Sequence, residues 1–178
     1  MTSLADKIVA IHEALEAADL PHAFGGALAL AWCTQRARGT IDIDVNIFVP
    51  VEDTRAAFAA LPTLVAWTEV DVEAVEADGQ VRVWWDETPV NMFLNTTPFH
   101  DQLSPRARRE SFRGAQVPFL ACADLAVFKV FFDRTKDWAD LEEMAAAGTL
   151  DVEAVLGVIV NYLGADHRID RLRALAQP

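Results

Sequence analysis

The sequence predicts a mixed α/β (α+β) fold, in which a β-sheet is flanked by helices and followed by a helical C-terminal part. Short runs of alternating apolar and polar residues, such as 41–45 and 80–85, are typical of half-buried strands. Apolar runs at helical spacing dominate the last third of the chain. A length of 178 residues and a hydrophobic content of 52% suit one domain, residues 1–178. We expect a sheet-containing core over about 1–120 and a helical part over about 121–178.

The N-terminal segment predicts a helix, a short strand and a second helix. Residues 1–20 carry apolar side chains at near-helical spacing, and Pro21 ends this pattern. Residues 22–24 predict a strand that leads into Gly25 and Gly26, and residues 27–32 predict an apolar helix. Glycine lets the backbone approach a phosphate, and a helix N-terminus offers free N–H groups and positive potential. A glycine pair alone is usually a turn.

A D-x-D sequence follows this helix. Alternation puts Asp42 and Asp44 on one face of a strand, opposite Ile41, Ile43 and Val45. Two such carboxylates suit Mg²⁺ or Mn²⁺, which share their other positions with water and substrate phosphates. An exposed D-x-D is a solvated strand face at least as often. The glycine pair and the two aspartates in one short segment together predict a metal and phosphate site.

This segment resembles a known motif. The pattern GG-A-L-A-L, then R-x-T-x-D-x-D before an apolar strand, is similar to the first motif of the nucleotidyltransferase superfamily. The similarity is greatest to its AbiEii-like and MenT-like branch, which includes toxins of toxin–antitoxin and phage-defence pairs. The residues that match are Gly25, Gly26, Ala27, Leu28, Arg38, Thr40, Asp42 and Asp44, with weaker similarity as far as about Leu141.

The resemblance implies a nucleotidyltransferase-like mixed sheet and a set of functional residues. Asp42 and Asp44 would hold Mg²⁺ or Mn²⁺ and act in catalysis. The nucleotide of a nucleoside triphosphate (NTP) would be bound by Gly25, Gly26, Arg38, Thr40 and Lys129. Lys129 would neutralise triphosphate charge, and Asp137 or Asp140 would brace the site.

Asn91 departs from the superfamily pattern, because members often carry an aspartate at this position. Asparagine can lend a carbonyl oxygen, but it brings no charge and cannot act as a base. Metal affinity should then be lower, or a third acid comes from elsewhere. A non-catalytic nucleotide-binding relative is the competing interpretation.

The middle of the chain predicts a helix and a meander of strands. Residues 51–61 predict a helix between Pro50 and Pro62. Residues 64–77 are ambiguous, with β-branched alternation that favours a strand over 70–75. The pair Asp78-Gly79 predicts a hairpin turn into a strand over 80–85, and a further strand is expected over 89–94.

Arg106, Arg108, Arg109 and Arg113 form a basic cluster in residues 104–113 of an acidic chain. Guanidinium groups bind phosphate in a bidentate fork, so the cluster could clamp a triphosphate or RNA. The alternative is a solvated loop whose arginines pair with surface acids. Both interpretations stay open on the sequence alone.

The last third predicts helices over 121–132, 151–164 and 167–176. Lys129 lies within an almost wholly apolar run, where a buried ammonium without a partner is strongly unfavourable. Lys129, Asp133, Lys136 and Asp140 fall at i, i+4, i+7 and i+11 and share one helical face. That face predicts either a ladder of surface ion pairs or a functional lysine.

Composition limits the environment and the partners. No run of about 18 apolar residues occurs, and the N-terminus lacks a signal-peptide layout, so we expect a cytoplasmic protein without membrane contact. Cys33 and Cys122 lack metal or C-x-x-C spacing and are expected to be buried, reduced thiols. His12 and His22 have no partner at ligand spacing. A net charge of −12 opposes non-specific binding to RNA or anionic membranes.

The predicted activity is Mg²⁺-dependent transfer of a nucleoside monophosphate from an NTP to an acceptor hydroxyl. The resemblance suggests a tRNA 3′ end as acceptor, a role as the toxin of a toxin–antitoxin pair, and a cognate antitoxin protein as partner. The enzymatic alternative is a small-molecule acceptor such as an antibiotic. The non-enzymatic alternative is a degenerate nucleotide-binding module.

Overall fold

The computed structural model describes residues 2–176, which divide into two compact units. The first unit comprises the residues up to Leu28 together with Gly39–Leu120. The second comprises Ala29–Arg38 together with the residues from Ala121 onward. Met1, in the predicted first helix, and Gln177 and Pro178, in the predicted helical part, lie outside the described residues.

The first unit contains the sheet. Its described strands, in chain order, are β1 (His22–Phe24), β2 (Ile43–Pro50), β3 (Val65–Ala66), β4 (Gln80–Trp85), β5 (Thr88–Asn95), β6 (Arg108–Phe112) and β7 (Ala115–Phe119). Its helices are α1 (Leu4–Ala17), α3 (Thr54–Ala59) and α4 (Glu69–Asp78). Helix α2 (Gly26–Thr34) begins in this unit and ends in the second.

These strands form one mixed sheet in the order β3-β4-β5-β2-β1-β7-β6. Strand β2 is parallel to β5 and β1 is parallel to β7, whereas the other neighbours are antiparallel. The mixed sheet and the strands predicted over 80–85 and 89–94 are therefore confirmed. The register aligns Asp44 with Asn91, and Asn91 with Arg82.

Burial separates the two faces of this sheet. Ile43 and Val45 of β2, and Val90 and Met92 of β5, are fully buried and form part of the hydrophobic core. Since side chains alternate along a strand, the residues between them point to the opposite face. Asp44, Asn91 and the neighbouring polar side chain of β4 consequently share that second face.

The strand predicted over residues 70–75 is wrong, because this segment lies in helix α4. Val72 and Val75 are buried three residues apart, as on a helix, whereas Val70 is 71% exposed. Thr68 and Asp71 form a capping box at the start of the helix. Gly79 ends the helix with a left-handed φ of 70°, so Asp78-Gly79 is a helix terminus and not a hairpin turn.

Two further segments differ from the sequence prediction. Residues 51–61, predicted as one helix, form a 3₁₀ turn, Val51–Asp53, and then the short helix α3. Arg106 of the basic cluster lies in a 3₁₀ turn, Ser104–Arg106, and Arg108 and Arg109 lie in β6, which pairs with β7 at the edge of the sheet. Arg113 lies in the turn after β6. Strand β7 was not predicted from the sequence.

The described helices of the second unit are α5 (Cys122–Phe132), α6 (Thr135–Ala146), α7 (Val152–Leu163) and α8 (His167–Ala174). Helix α5 packs against α6 and α7, and α7 packs against α8. Asp133 ends α5 with a φ of 54°, so the single helical face predicted for Lys129, Asp133, Lys136 and Asp140 is wrong. Within residues 2–176, no helix combines the length and apolar character needed to cross a membrane.

Cys33 and Cys122 form a disulfide, so the prediction of two reduced thiols is wrong. Both residues belong to the second unit, where α2 and α5 bring their Cα atoms to 5.7 Å. This separation is typical of disulfides. The sequence separation of 89 residues leaves no local pattern from which the pairing could be predicted.

His12 and His22 form a buried pair that links α1 to β1. The Nδ1 atom of His12 lies 2.9 Å from Nε2 of His22, and Nδ1 of His22 lies 2.8 Å from the carbonyl oxygen of Leu20. Burial lowers the pKa of His22 to about 4 and also lowers the pKa of His12. The two histidines are thus structural partners, although the sequence spacing did not identify them as a pair.

We expect the free energy of unfolding to fall as the pH drops from about 6.5 to about 4. In this window the unfolded chain protonates residue 22, whose ordinary pKa is near 6.5, while the folded chain keeps it neutral. His22→Gln cannot take up this proton, so it should reduce the loss by about 1 kcal/mol per pH unit. Urea denaturation at several pH values measures the slopes.

Above pH 7 the histidine is neutral in both states, so the difference in stability between wild type and His22→Gln should stay constant from pH 7 to 8. Equal slopes for the two proteins between pH 4.5 and 6.5 would contradict the assignment of a neutral, buried His22.

Candidate active site

Strand β2 presents the D-x-D pair at its start. Ile43 and Val45 fix the strand by their burial, and Asp44 lies on the opposite face of the sheet. Asp42 immediately precedes β2, and both aspartates are partly buried. Ile41, predicted on the apolar face, is 76% exposed, because the strand begins only at Ile43.

Thr40 supports the first aspartate through a local turn. Its hydroxyl oxygen accepts a hydrogen bond from the backbone N–H of Asp42 at 3.2 Å. Such turns are typical of threonine side chains next to a backbone amide. The observed contact orients Asp42, whereas the sequence prediction for Thr40 is nucleotide binding.

The glycine pair packs directly on the second aspartate. Gly25 donates its backbone N–H to the carbonyl oxygen of Asp44 at 2.9 Å. Gly26 has a φ of 54°, and a Cβ atom there would lie 1.9 Å from Oδ2 of Asp44. Only glycine fits this position without displacing the carboxylate.

Asn91 lies opposite Asp44 on the parallel strand β5. Its side-chain Nδ2 donates to Oδ1 of Asp44 at 2.8 Å, and its Oδ1 accepts from Nε of Arg82 at 2.8 Å. The amide carbonyl is therefore engaged by the arginine, and the amide nitrogen faces the carboxylate. In this orientation Asn91 holds Asp44 in place.

Arg82, a polar residue within the alternating run 80–85, completes the cluster, although no role was predicted for it from the sequence. Its NH2 group donates to Oδ2 of Asp42 at 3.3 Å, and the side chain is 53% exposed. The short connection between β4 and β5 pairs Trp85 with Thr88. Three residues further from this turn on each strand, Arg82 pairs with Asn91. Counting back from this turn would have placed Arg82 beside Asn91.

The donor atoms of Asp42 and Asp44 fit a hard divalent cation. Mg²⁺ is usually bound by one or two carboxylates, with water and substrate phosphates in its other positions. Within residues 2–176, no group of three or more His, Cys, Asp or Glu side chains is arranged to hold a metal ion. The two aspartates are thus the protein ligands that the cluster offers.

The other predicted catalytic residues lie in the second unit. Lys129 is only 6% exposed, and its Nζ donates to Oδ2 of Asp140 at 2.5 Å and lies 3.7 Å from Oδ1 of Asp137. Arg38 also donates to Asp140, and Arg134 donates to Asp137 at 2.6 Å. A buried ammonium requires such partners, so this ion-pair network compensates Lys129 within its own unit.

The basic cluster also has acidic partners in its own unit. Three of its arginines form ion pairs with carboxylates, and Arg106 lies over the ring of Phe99 with its guanidinium carbon 5.8 Å from the centroid. The pairs are Arg108 with Glu110 at 2.6 Å, Arg109 with Glu16 at 2.7 Å, and Arg113 with Asp6 at 2.5 Å. Much of the positive charge is consequently matched by neighbouring acids.

No protein-family profile matches the chain, and no curated protein is significantly similar to it in sequence. Two solved structures share its fold. A solution structure of the antibiotic-resistance factor ANT(2'')-Ia has 16% identity and a TM-score of 0.56, over 96% of this chain and 89% of that one. A crystal structure of ANT(2'')-Ia in complex with adenylyl-2''-tobramycin has 15% identity and a TM-score of 0.57, over 97% and 96%. The chain therefore has a nucleotidyltransferase-like fold.

Gly26→Ala should disrupt the position of Asp44, because the new methyl group meets Oδ2 of that residue. We expect Mn²⁺ affinity to fall at least about tenfold, since a displaced carboxylate no longer serves as a ligand. The left-handed φ should also cost about 1–2 kcal/mol of stability. Calorimetric titration and urea denaturation measure the two effects.

Gly114→Ala is the matched control. Gly114 has a φ of 85°, and among the described residues no atom lies within 4 Å of the place that its new methyl group would take. The variant therefore incurs the backbone cost without the contact. It should lose about 1–2 kcal/mol of stability from the backbone alone and keep wild-type Mn²⁺ affinity. Equal Mn²⁺ affinities for the two variants would contradict the role of Gly26.

Proposed function

We propose that the protein is a divalent-metal-dependent nucleotidyltransferase. The observation that carries this proposal is the pair Asp42 and Asp44, placed beside the left-handed Gly26 at the start of α2 in a nucleotidyltransferase-like fold. Carboxylates bind the cation, and the adjacent helix N-terminus offers N–H groups and positive potential to phosphate oxygens. The reaction is in-line attack of an acceptor hydroxyl on the α-phosphorus of an NTP, with pyrophosphate as the leaving group.

Within this mechanism the residues of the first unit have separate tasks. Asp42 and Asp44 hold Mg²⁺ or Mn²⁺, which on binding supplies charge stabilisation and orientation of the phosphates. Gly25 and Gly26 allow the backbone to approach the phosphates, and Thr40 orients Asp42 through its turn. Thr40 therefore supports nucleotide binding indirectly.

The residues of the second unit have weaker support for a direct role. The resemblance assigns Lys129 to the triphosphate, Asp137 to catalysis and Arg38 to the nucleotide. In the structure Lys129 and Arg38 both donate to Asp140, and Asp137 accepts a hydrogen bond from Arg134. A phosphate contact by Lys129 or Arg38 would require an exchange of partner, which weakens the case for these two cations.

For the acceptor, we propose the 3′ end of a tRNA, with the protein acting as the toxin of a toxin–antitoxin pair. The support is the GG-A-L-A-L and R-x-T-x-D-x-D pattern, which resembles that of AbiEii-like toxins. A cognate antitoxin protein would then be the regulatory partner.

A small-molecule acceptor is the second candidate. It is favoured by the ion pairs of Arg108, Arg109 and Arg113, which leave little uncompensated charge for an RNA backbone. ANT(2'')-Ia, which shares the fold, is an antibiotic-resistance factor that has been seen in complex with an adenylylated tobramycin. A non-catalytic nucleotide-binding module remains the alternative that Asn91 suggests.

Asp44→Ala should lower the rate of transfer of an α-³²P-labelled nucleotide to the acceptor at least about 100-fold, because it removes a metal ligand and a charge. The assay offers each of the four NTPs, with Mg²⁺, to total tRNA and separately to an aminoglycoside such as tobramycin. Glu73→Ala, on the exposed surface of α4, is the matched control and should keep full activity. Equal activity of Asp44→Ala and wild type would exclude this site.

Replacing Arg106, Arg108 and Arg109 together by alanine separates the two acceptor classes. If RNA is the acceptor, we expect tRNA affinity to fall at least about tenfold and to become less dependent on salt, because phosphate contacts release counterions. NTP affinity should stay unchanged. Filter binding at several salt concentrations measures both ligands, and unchanged tRNA binding would favour the small-molecule acceptor.

A further inference from the structure

Asp42, Asp44, Asn91 and Arg82 form one continuous hydrogen-bonded chain on the sheet. Arg82 contacts Asp42 and Asn91, and Asn91 contacts Asp44. The two carboxylates carry two negative charges and Arg82 carries one positive charge, so the cluster has a net charge of −1. Its one strong cation is supplied by the protein itself.

Arg82 reaches the aspartates across an intervening strand. Strand β5 lies between β4, which carries Arg82, and β2, whose start is preceded by Asp42. Strands separated by one neighbour lie about 10 Å apart, so the guanidinium has to extend over Asn91 to reach Asp42. An arginine directed into solvent would not need this extended conformation. The Nε atom of Arg82, which lies nearer the backbone than the terminal nitrogens, donates to the side-chain carbonyl oxygen of Asn91.

The orientation of Asn91 depends on this arginine. Because Arg82 binds the amide oxygen, the amide nitrogen is the group that faces Asp44. An aspartate at this position would place an oxygen 2.8 Å from the Asp44 carboxylate and would be repelled. Asn91 and Arg82 therefore fit each other, whereas an acid at position 91 needs a nearby cation to offset its repulsion from Asp44.

Two metal ions that together stabilise the attacking and leaving oxygens are a general arrangement in enzymes that act on phosphates. We propose that Arg82 is a built-in counter-ion that takes the place of a second metal ion. With Arg82 present, the cluster binds a single divalent cation through Asp42 and Asp44, and the guanidinium, which is fixed beside Asp42, supplies the other positive charge to the substrate phosphates. Guanidinium is permanently charged and suits phosphate oxygens. The inference deepens the proposed function and rests on it for the identity of the substrate.

Calorimetric titration with Mn²⁺ tests this inference on the full chain. The wild type should bind one Mn²⁺. Arg82→Met should also bind one, but about three- to tenfold more tightly, because a positive charge close to the ion has been removed. Arg82→Lys keeps the charge but lacks the planar fork that contacts both Asn91 and Asp42, so its affinity should lie between those of wild type and Arg82→Met. Arg55→Met is the matched control, since Arg55 pairs with Glu69 elsewhere in the first unit, and it should leave Mn²⁺ affinity unchanged.

Changes at position 91 test the exchange of arginine for metal. Asn91→Asp alone should still bind one Mn²⁺, since Arg82 compensates the new carboxylate. The double variant Arg82→Met/Asn91→Asp has three carboxylates and no arginine, and it should bind two. A stoichiometry of one in the double variant would overturn the proposed substitution.

Failure of this inference differs from failure of the proposed function. If Asp44→Ala abolishes Mn²⁺ binding and nucleotide transfer while Arg82→Met leaves Mn²⁺ affinity unchanged, the role of Arg82 is overturned and the proposed function stands. If Arg82→Met binds Mn²⁺ more tightly as expected but the wild type transfers no nucleotide, the counter-ion role stands and the proposed enzymatic function is contradicted. Far-ultraviolet circular dichroism confirms that each variant is folded.

Discussion

The close packing of the Gly26 backbone against the carboxylate of Asp44 is the constraint on which the first unit depends. Gly26 requires a left-handed φ to begin α2, and the same position has no space for a side chain because Asp44 fills it. Asp44 is fixed in turn by the burial of Ile43 and Val45 on either side. One strand register therefore determines both the start of the helix and the direction of the aspartate.

The polar face of the sheet that carries the candidate site follows from sequence patterns that act locally. Alternation along β2 and β4 is visible in the sequence, and it assigned Asp44 and Arg82 to polar faces correctly. The segment over 70–75 shows the limit of this reasoning, since valines spaced by two and by three residues satisfy both periodicities. The capping box of Thr68 and Asp71 stabilises the helix N-terminus and so favours the helix over a strand.

Long-range pairings could not be predicted from the sequence. The contact between Arg82 and Asp42 depends on the order of three strands, and the ion pair of Lys129 with Asp140 depends on a helix break at Asp133. The D-x-D pair was recognisable because the two aspartates are two residues apart, at the start of β2 and immediately before it. The cations that neutralise the predicted site and its neighbours could not be recognised in the sequence, because charge compensation is a property of the folded chain.

The disulfide has a consequence for the connectivity of the chain. Cys33 and Cys122 both lie in the second unit, yet the 88 residues between them include Gly39–Leu120, which is most of the first unit. The sheet is thus an insertion within a covalently closed loop, and a loop of this length restricts the unfolded chain by about 4–5 kcal/mol in the chain-entropy view. A protease cut anywhere in this loop would leave two fragments joined through sulfur, which separate only after reduction.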